Sequence, residues 1–147
     1  MTQIKDIFIA SDHAGFEYKT KLIAFLKAEY SITITDLGCS SEASVDYPVY
    51  GRLVAEHIKT PDQFGILICG SGIGVSIAAN RFKHIRAALC HTVEYAKLAR
   101  LHNDANVLAL GSRMLTLHET QDIIKVFLET DFEKGRHEKR VNQLSNF

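Results

Sequence analysis

Short apolar runs followed by longer segments of helical period recur along the chain, and this alternation constrains the fold more than any other feature. The runs are Ile7–Ala10, Ile32–Asp36, Gly65–Cys69, Arg86–Cys90 and Asn106–Leu110. Most are continuously apolar rather than alternating, the pattern of parallel strands buried on both faces. The segments between them predict helices over Gly15–Glu29, Pro48–Lys59, Gly74–Phe82, Val93–Leu101 and Leu117–Leu128. In the first, Phe16, Leu22, Ile23, Phe25 and Leu26 recur at helical spacing and are expected to face the sheet.

Such a succession of strand–helix units predicts an α/β fold: a doubly wound, Rossmann-like, five-stranded parallel sheet with right-handed crossovers and helices on both faces. No repeat or low-complexity linker divides the chain, and 147 residues, 46% of them hydrophobic, suffice for one core, so residues 1–147 read as a single domain. A charged tail, "DFEKGRHEKRVNQLSNF", follows Thr130, and its later part can form one more short helix.

Seventeen basic residues balance seventeen acidic ones, which argues against a nucleic-acid or membrane-surface partner. Three cysteines without motif spacing do not make a disulfide framework. The N-terminus lacks a signal-peptide core and no apolar run approaches membrane-spanning length, so a cytoplasmic setting is expected.

Ligands of a doubly wound sheet sit outside the carboxyl ends of its strands. The residues there are Ser11-Asp12-His13, the loop through Asp46-Tyr47, Cys69 with its glycines, His91-Thr92 and Gly111-Ser112-Arg113. The stretch "CGSGIGVS" places a cysteine directly before Gly70, Gly72 and Gly74, and a helix starts there. Amides at such a turn bind anions, aided by the helix dipole. A phosphate loop is excluded because no Gly-Lys-Ser/Thr follows. The dinucleotide fingerprint has another spacing and belongs after the first strand. A cysteine phosphatase needs an arginine where this chain has Val75. What remains is an oxyanion hole, with amides aimed at an oxygen that gains charge in a transition state. Beside it, the helix N-terminus favours a Cys69 thiolate able to abstract a proton or attack carbon. The plainer alternative, a small buried strand-end residue, is the reading for Cys39 and Cys90.

Asp12 and His13 read either as a helix cap or as ligand contacts across from the glycine loop. In "HNDANVLALGSR", His102 and Asn103 precede the last strand and Arg113 follows it; a lone His102 is ordinarily a helix C-terminal group. His57, His84 and His118 read as solvated. Despite seven histidines, no pair at ligand spacing stands out, so no metal site is expected. Arg136 and Arg140 share one face of a tail helix, as a solvated patch or as two forks for a phosphate.

Taken together, "SDHAGFEYK", "DYPVYG", "CGSGIGVSIAANR", "IRAA", "HNDANVLALGSR" and "GRHEKRV" resemble the signature segments of the type B ribose-5-phosphate isomerase family, which includes the allose- and galactose-6-phosphate isomerases. The resemblance implies that Cys69 is the catalytic base and that His102 assists opening of the sugar ring. It further implies that Asp12, His13, Tyr47, Gly70, Ser71, Gly72, Ile73, Gly74, Asn103, Arg113, Arg136 and Arg140 contact a sugar phosphate. The chemistry of the residues agrees, because aldose–ketose conversion needs a base between C1 and C2, donors for an enediolate oxygen, a group for ring opening and a phosphate anchor. It needs no metal and no organic cofactor. The rival readings are a non-catalytic anion- or nucleotide-binding module, which has no use for Cys69, and a redox or phosphatase enzyme, which lacks its C-x-x-C or arginine. Topology adds one expectation. Cys69 falls at the carboxyl edge of the sheet and His102 at the other, so a site using both requires a homodimer, possibly within a tetramer.

Overall fold

The structure is a computed structural model and describes residues 3–147. Among the described residues, the strands β1 (Asp6–Ser11), β2 (Thr33–Asp36), β3 (Gln63–Cys69), β4 (Ala87–Leu89) and β5 (Val107–Gly111) form one sheet in the order β2-β1-β3-β5-β4. All neighbouring strands are parallel. The helices are α1 (Phe16–Glu29), α2 (Tyr47–His57), α3 (Ile73–Ala79), α4 (Val93–Asn103), α5 (Leu117–Glu129) and α6 (Arg136–Leu144). A 3-10 turn, His13–Gly15, leads into α1.

The chain winds outward from β1 to β2, returns across β1 to β3, and reaches the edge strand β4 before β5 fills the gap. The reversal between β1 and β3 opens a crevice at their carboxyl ends. Register there sets Ser11 beside Ile68 and Cys69 beside Gly111, which brings three strand ends together.

Both faces of the sheet are covered, which is why the strands are continuously apolar. On one face Ile7, Ile9, Ile66, Ile68, Leu108 and Leu110 pack against α1, α4 and α5 through Leu22, Leu26, Ala96, Ile123 and Phe127. On the other, Phe8, Ala10, Leu67, Val107 and Ala109 meet Val54 and Ala55 of α2 and Val75 and Ala79 of α3. Cys69 belongs to this second face. Side-chain caps start several helices: Asp12 Oδ1 accepts from the Ala14 and Gly15 amides, Thr92 accepts from Tyr95, and Thr116 with Glu119 forms a capping box.

Several expectations are revised: α2 covers Tyr47–His57 and ends before Lys59, and β4 keeps only Ala87–Leu89 of the run Arg86–Cys90. Phe16 stays only partly buried, because its ring lies under the Lys19 ammonium, 5.3 Å away, rather than against the sheet. Helix α3 stops at Ala79, short of Phe82, because the Asn80 side chain bonds both the amide and the carbonyl of Ala87 and pulls the chain toward β4. Helix α4 runs on to Asn103 and ends on Asp104 in the left-handed region, φ 46°. The tail forms α6 as anticipated, seated by His137 and Val141 on one face.

Arg100, 2% exposed, ties the end of α4 to its surroundings. Its guanidinium donates to the Asp104 carboxylate at 2.9 Å, the Ala105 carbonyl at 2.7 Å and the Thr130 carbonyl at 3.1 Å, and lies over the Phe64 ring. A buried charge is tolerable when its donors are satisfied in this way. The result is a fixed platform for His102.

Candidate active site

At the carboxyl edge Cys69 is 5% exposed, and the amide of Gly72 donates to its sulfur at 3.1 Å. The turn that allows this contact requires φ +80° at Gly72, a conformation that favours glycine. The Ser71 hydroxyl accepts from the Ile73 amide at 3.1 Å, so it closes the first turn of α3. Gly74 lies directly against the Tyr47 ring, where a Cβ would collide with the aromatic carbons. That contact fixes Tyr47, 43% exposed at the start of α2, beside the glycine loop.

The segment after β5 is bound to this loop. The amides of Ser112 and Arg113 donate to the carbonyls of Cys69 and Gly70 at 2.9 and 3.0 Å. The Ser112 hydroxyl donates to the Ala14 carbonyl at 2.8 Å, linking all three strand ends. The Arg113 side chain lies over Gly70, close enough that a Cβ there would sit 3.1 Å from Nη1. Asp12 is 7% exposed with Oδ1 on the Ala14 and Gly15 amides, so it does act as a cap. His13 Nδ1 accepts the Val45 amide at 3.1 Å, which leaves Nε2 as the ring nitrogen able to reach a ligand. Asp12, His13, Tyr47, Cys69, the glycine loop and Arg113 therefore gather at the carboxyl ends of β1, β3 and β5.

His102 and Asn103 do not join them. They close α4, which spans about 16 Å at 1.5 Å per residue and runs back to the amino edge of the sheet. There the His102 ring stacks on that of His137, with centroids 4.3 Å apart and planes 16° from parallel. Glu133 Oε2 lies 3.6 Å from His102 Nε2 and 3.9 Å from His137 Nε2. His102, Asn103, His137 and Arg140 line a cavity of about 290 Å³. Arg136 and Arg140 are exposed and form no ion pair among the described residues.

His137 and Glu133 are not among the residues that the sequence singles out, and Ser112 stands there only as part of a strand end. The spacing Glu133-x-x-x-His137 was available as a signal, but it gains meaning only when α6 packs on α4. The Ser112 link depends on strand order and leaves no local mark.

This arrangement defines a class before it defines a substrate: a thiol beside backbone donors at a sheet switch point, with basic and imidazole groups near, suits proton transfer on a small anionic molecule. Residues 7–144 match the ribose/galactose isomerase family, and the chain belongs to that family of aldose–ketose isomerases. It is 41% identical to the ribose-5-phosphate isomerase B of Escherichia coli strain K12, over 97% of this chain and 95% of that one. The crystal structure of a ribose 5-phosphate isomerase from Thermotoga maritima superposes with a TM-score of 0.92 at 46% identity, covering 97% of this chain and 99% of the other. The enzyme from Mycoplasma genitalium, solved with bound ribulose-5-phosphate, superposes with a TM-score of 0.91 at 42% identity, covering 96% and 94%. Among the described residues no helix is long and apolar enough to cross a membrane.

Proposed function

We propose that this isomerase interconverts ribose 5-phosphate and ribulose 5-phosphate through an enediolate. The observation that carries this reading is the Cys69 sulfur, set at the crevice with the Gly72 amide directed at it. His102 takes the proton of the anomeric hydroxyl and delivers one to the ring oxygen, so the C1–O bond to the ring oxygen breaks, the C1 carbonyl forms and the furanose opens. The Cys69 thiolate then removes the proton from C2, and electrons shift to the carbonyl oxygen at C1. The amides of the Gly70–Gly74 loop hold the developing oxyanion. The thiol returns the proton to C1 while the hydroxyl proton on the C2 oxygen passes to the C1 oxygen, so that C2 becomes the ketone and C1 the alcohol. Arg136 and Arg140 anchor the phosphate, with Asp12, His13, Tyr47, Asn103 and Arg113 around the sugar. Each step moves only protons and electron pairs already present in the sugar, so the chemistry calls for no redox group.

Because Cys69 and His102 lie at opposite edges, each site takes Cys69, Asp12 and the glycine loop from one subunit, and His102, Asn103 and the tail arginines from another. Exposed Val49, Ile73 and Ile77, on the neighbouring helices α2 and α3, support this reading, since apolar side chains beside a catalytic loop suit burial by a second copy. The test of substrate is a coupled assay on ribose 5-phosphate, allose 6-phosphate and galactose 6-phosphate, each with and without chelator. The highest kcat/KM is expected for the five-carbon substrate, unchanged by chelator. A higher value for either six-carbon substrate overturns the assignment.

A further inference from the structure

His137 sits on the inner face of α6, 6% exposed, and its Nε2 has no hydrogen-bond partner among the described residues. A buried imidazole nitrogen left unpaired is unfavourable unless it serves some end. Its ring lies flat against that of His102, and Glu133 Oε2 faces the Nε2 atoms of both.

The three donor atoms fall within 4.8 Å of one another, a spacing that invites a cation. The stacking argues against one. Rings 16° from parallel with centroids 4.3 Å apart keep their in-plane lone pairs in two nearly parallel planes, whereas ligands of one ion must converge on it. A flat, buried ring against a half-exposed one is instead the geometry of support. His102 is 36% exposed and borders the cavity shared with Asn103 and Arg140. Left alone at a helix end, such a side chain samples several rotamers. Burial, reinforced by His102, Arg136 and Arg140 and opposed by Glu133, pushes the His137 imidazole below its ordinary range. That leaves His137 the neutral, packing member of the pair.

We propose that His137 and Glu133 are positioning residues for His102. The buried ring fixes the plane of the His102 imidazole, and the carboxylate fixes its rotation by attracting the ring N–H. The group then meets the sugar ring oxygen in one orientation. This rests on the ring-opening role proposed for His102 above.

The substrate supplies a way to isolate that step. Ribulose 5-phosphate cannot close to a furanose, because its C5 oxygen carries the phosphate. Wash-in of deuterium at its C1 in heavy water, followed by proton NMR, therefore reports proton transfer at Cys69 without ring opening. Turnover of ribose 5-phosphate reports both. His137→Ala should slow turnover by roughly ten- to a hundredfold, the cost of misplacing a reacting group, and leave the exchange near the wild-type rate. His137→Phe, which returns a flat ring to the same seat, should recover most of that turnover. Glu133→Gln, at an exposed position, should show the same asymmetry in milder form. The proposal is overturned if Phe is no better than Ala, or if exchange and turnover fall together in the His137 variants. His102→Ala keeps the two readings apart. If it shows the asymmetry and the His137 variants do not, positioning alone is wrong. Should His102→Ala lose exchange and turnover equally, the ring-opening role fails and positioning falls with it.

Discussion

The Gly72 amide nitrogen lies 3.1 Å from the Cys69 sulfur, so a donor of the glycine turn is aimed at the side chain that ends β3. One turn thus directs a donor at the sulfur and leads straight into the N-terminus of α3 beside it. The sequence placed Cys69 and the glycines in one stretch, but the contact itself depends on the left-handed backbone at Gly72.

If the thiolate is the base, Cys69→Ala should lose about two to four orders of magnitude in kcat, the usual share of a general base. Substrate affinity should hold, since the phosphate anchors lie elsewhere. Iodoacetamide should inactivate the enzyme, with substrate protecting it. Cys90, whose thiol is pushed up to about 12 by burial, should stay unlabelled in a peptide map. Activity within a few-fold of wild type in Cys69→Ala removes the assignment.

Gly72→Ala tests the turn. A Cβ there would stand 2.6 Å from Leu89 Cδ1 and 2.8 Å from the carbonyl carbon of Leu110, and the second of these is backbone that cannot swing aside. Added to the strain of φ +80°, the cost should be about 1–3 kcal/mol in stability, read from denaturant midpoints. Turnover should fall as well, because relief of the clash moves the amide off the sulfur. Unchanged stability means that the turn is not held as described.

Arg140 borders the amino-edge cavity and has no protein partner among the described residues, as a phosphate fork awaiting its ligand should. Removing one charged hydrogen bond costs about 1.5–3 kcal/mol, so Arg140→Ala should raise KM roughly ten- to a hundredfold with a smaller effect on kcat. An unchanged KM marks α6 as a solvated face.

His137 also makes stability depend on pH. Its folded value lies below the ordinary 6.5 because of burial, then the charges of His102 and Arg136. The unfolded chain therefore takes up a proton, as pH falls through 6.5, that the folded chain refuses. This contribution to stability is complete above that value and is lost progressively below it. His137→Phe has no proton to take up, so its urea midpoint should fall less than that of wild type between about pH 7.5 and 5.5. Parallel pH profiles for the two proteins would contradict this.

The parts of the molecule that were legible in the sequence are those set by local pattern or by topology. Continuous apolar runs such as that of β3 declare a strand covered on both faces. Asp12, Cys69 and Arg113 could be grouped beforehand because each follows a strand. What escaped depends on contacts between distant segments. Helix α3 ends early because Asn80 reaches Ala87, and the Phe16 ring lies under the Lys19 ammonium, which is paired with Asp36. The Val45 amide on His13 and the His102–His137 stack likewise arise only once the loop and α6 have docked.

The separation of Cys69 from His102 leads to the last prediction. Each is held firmly where it is: Cys69 by the β3–β5 register and the Gly72 amide, His102 by the Arg100 platform and the His137 ring. A helix of about 16 Å lies between their edges, and neither segment has slack to cross it. If one sugar phosphate is served by both, the two groups come from different chains related by a two-fold axis. Cys69→Ala and His102→Ala proteins, each nearly inactive, should then complement when their subunits exchange. A heterodimer carries both lesions in one site and neither in the other. At equal mixing about half of the dimers are heterodimers, each with one intact site of two, so roughly a quarter of wild-type activity should return. The exchange can be followed by native mass spectrometry with one variant isotope-labelled. Heterodimers that form yet stay as inactive as their parents would show that the two residues do not share a site across subunits.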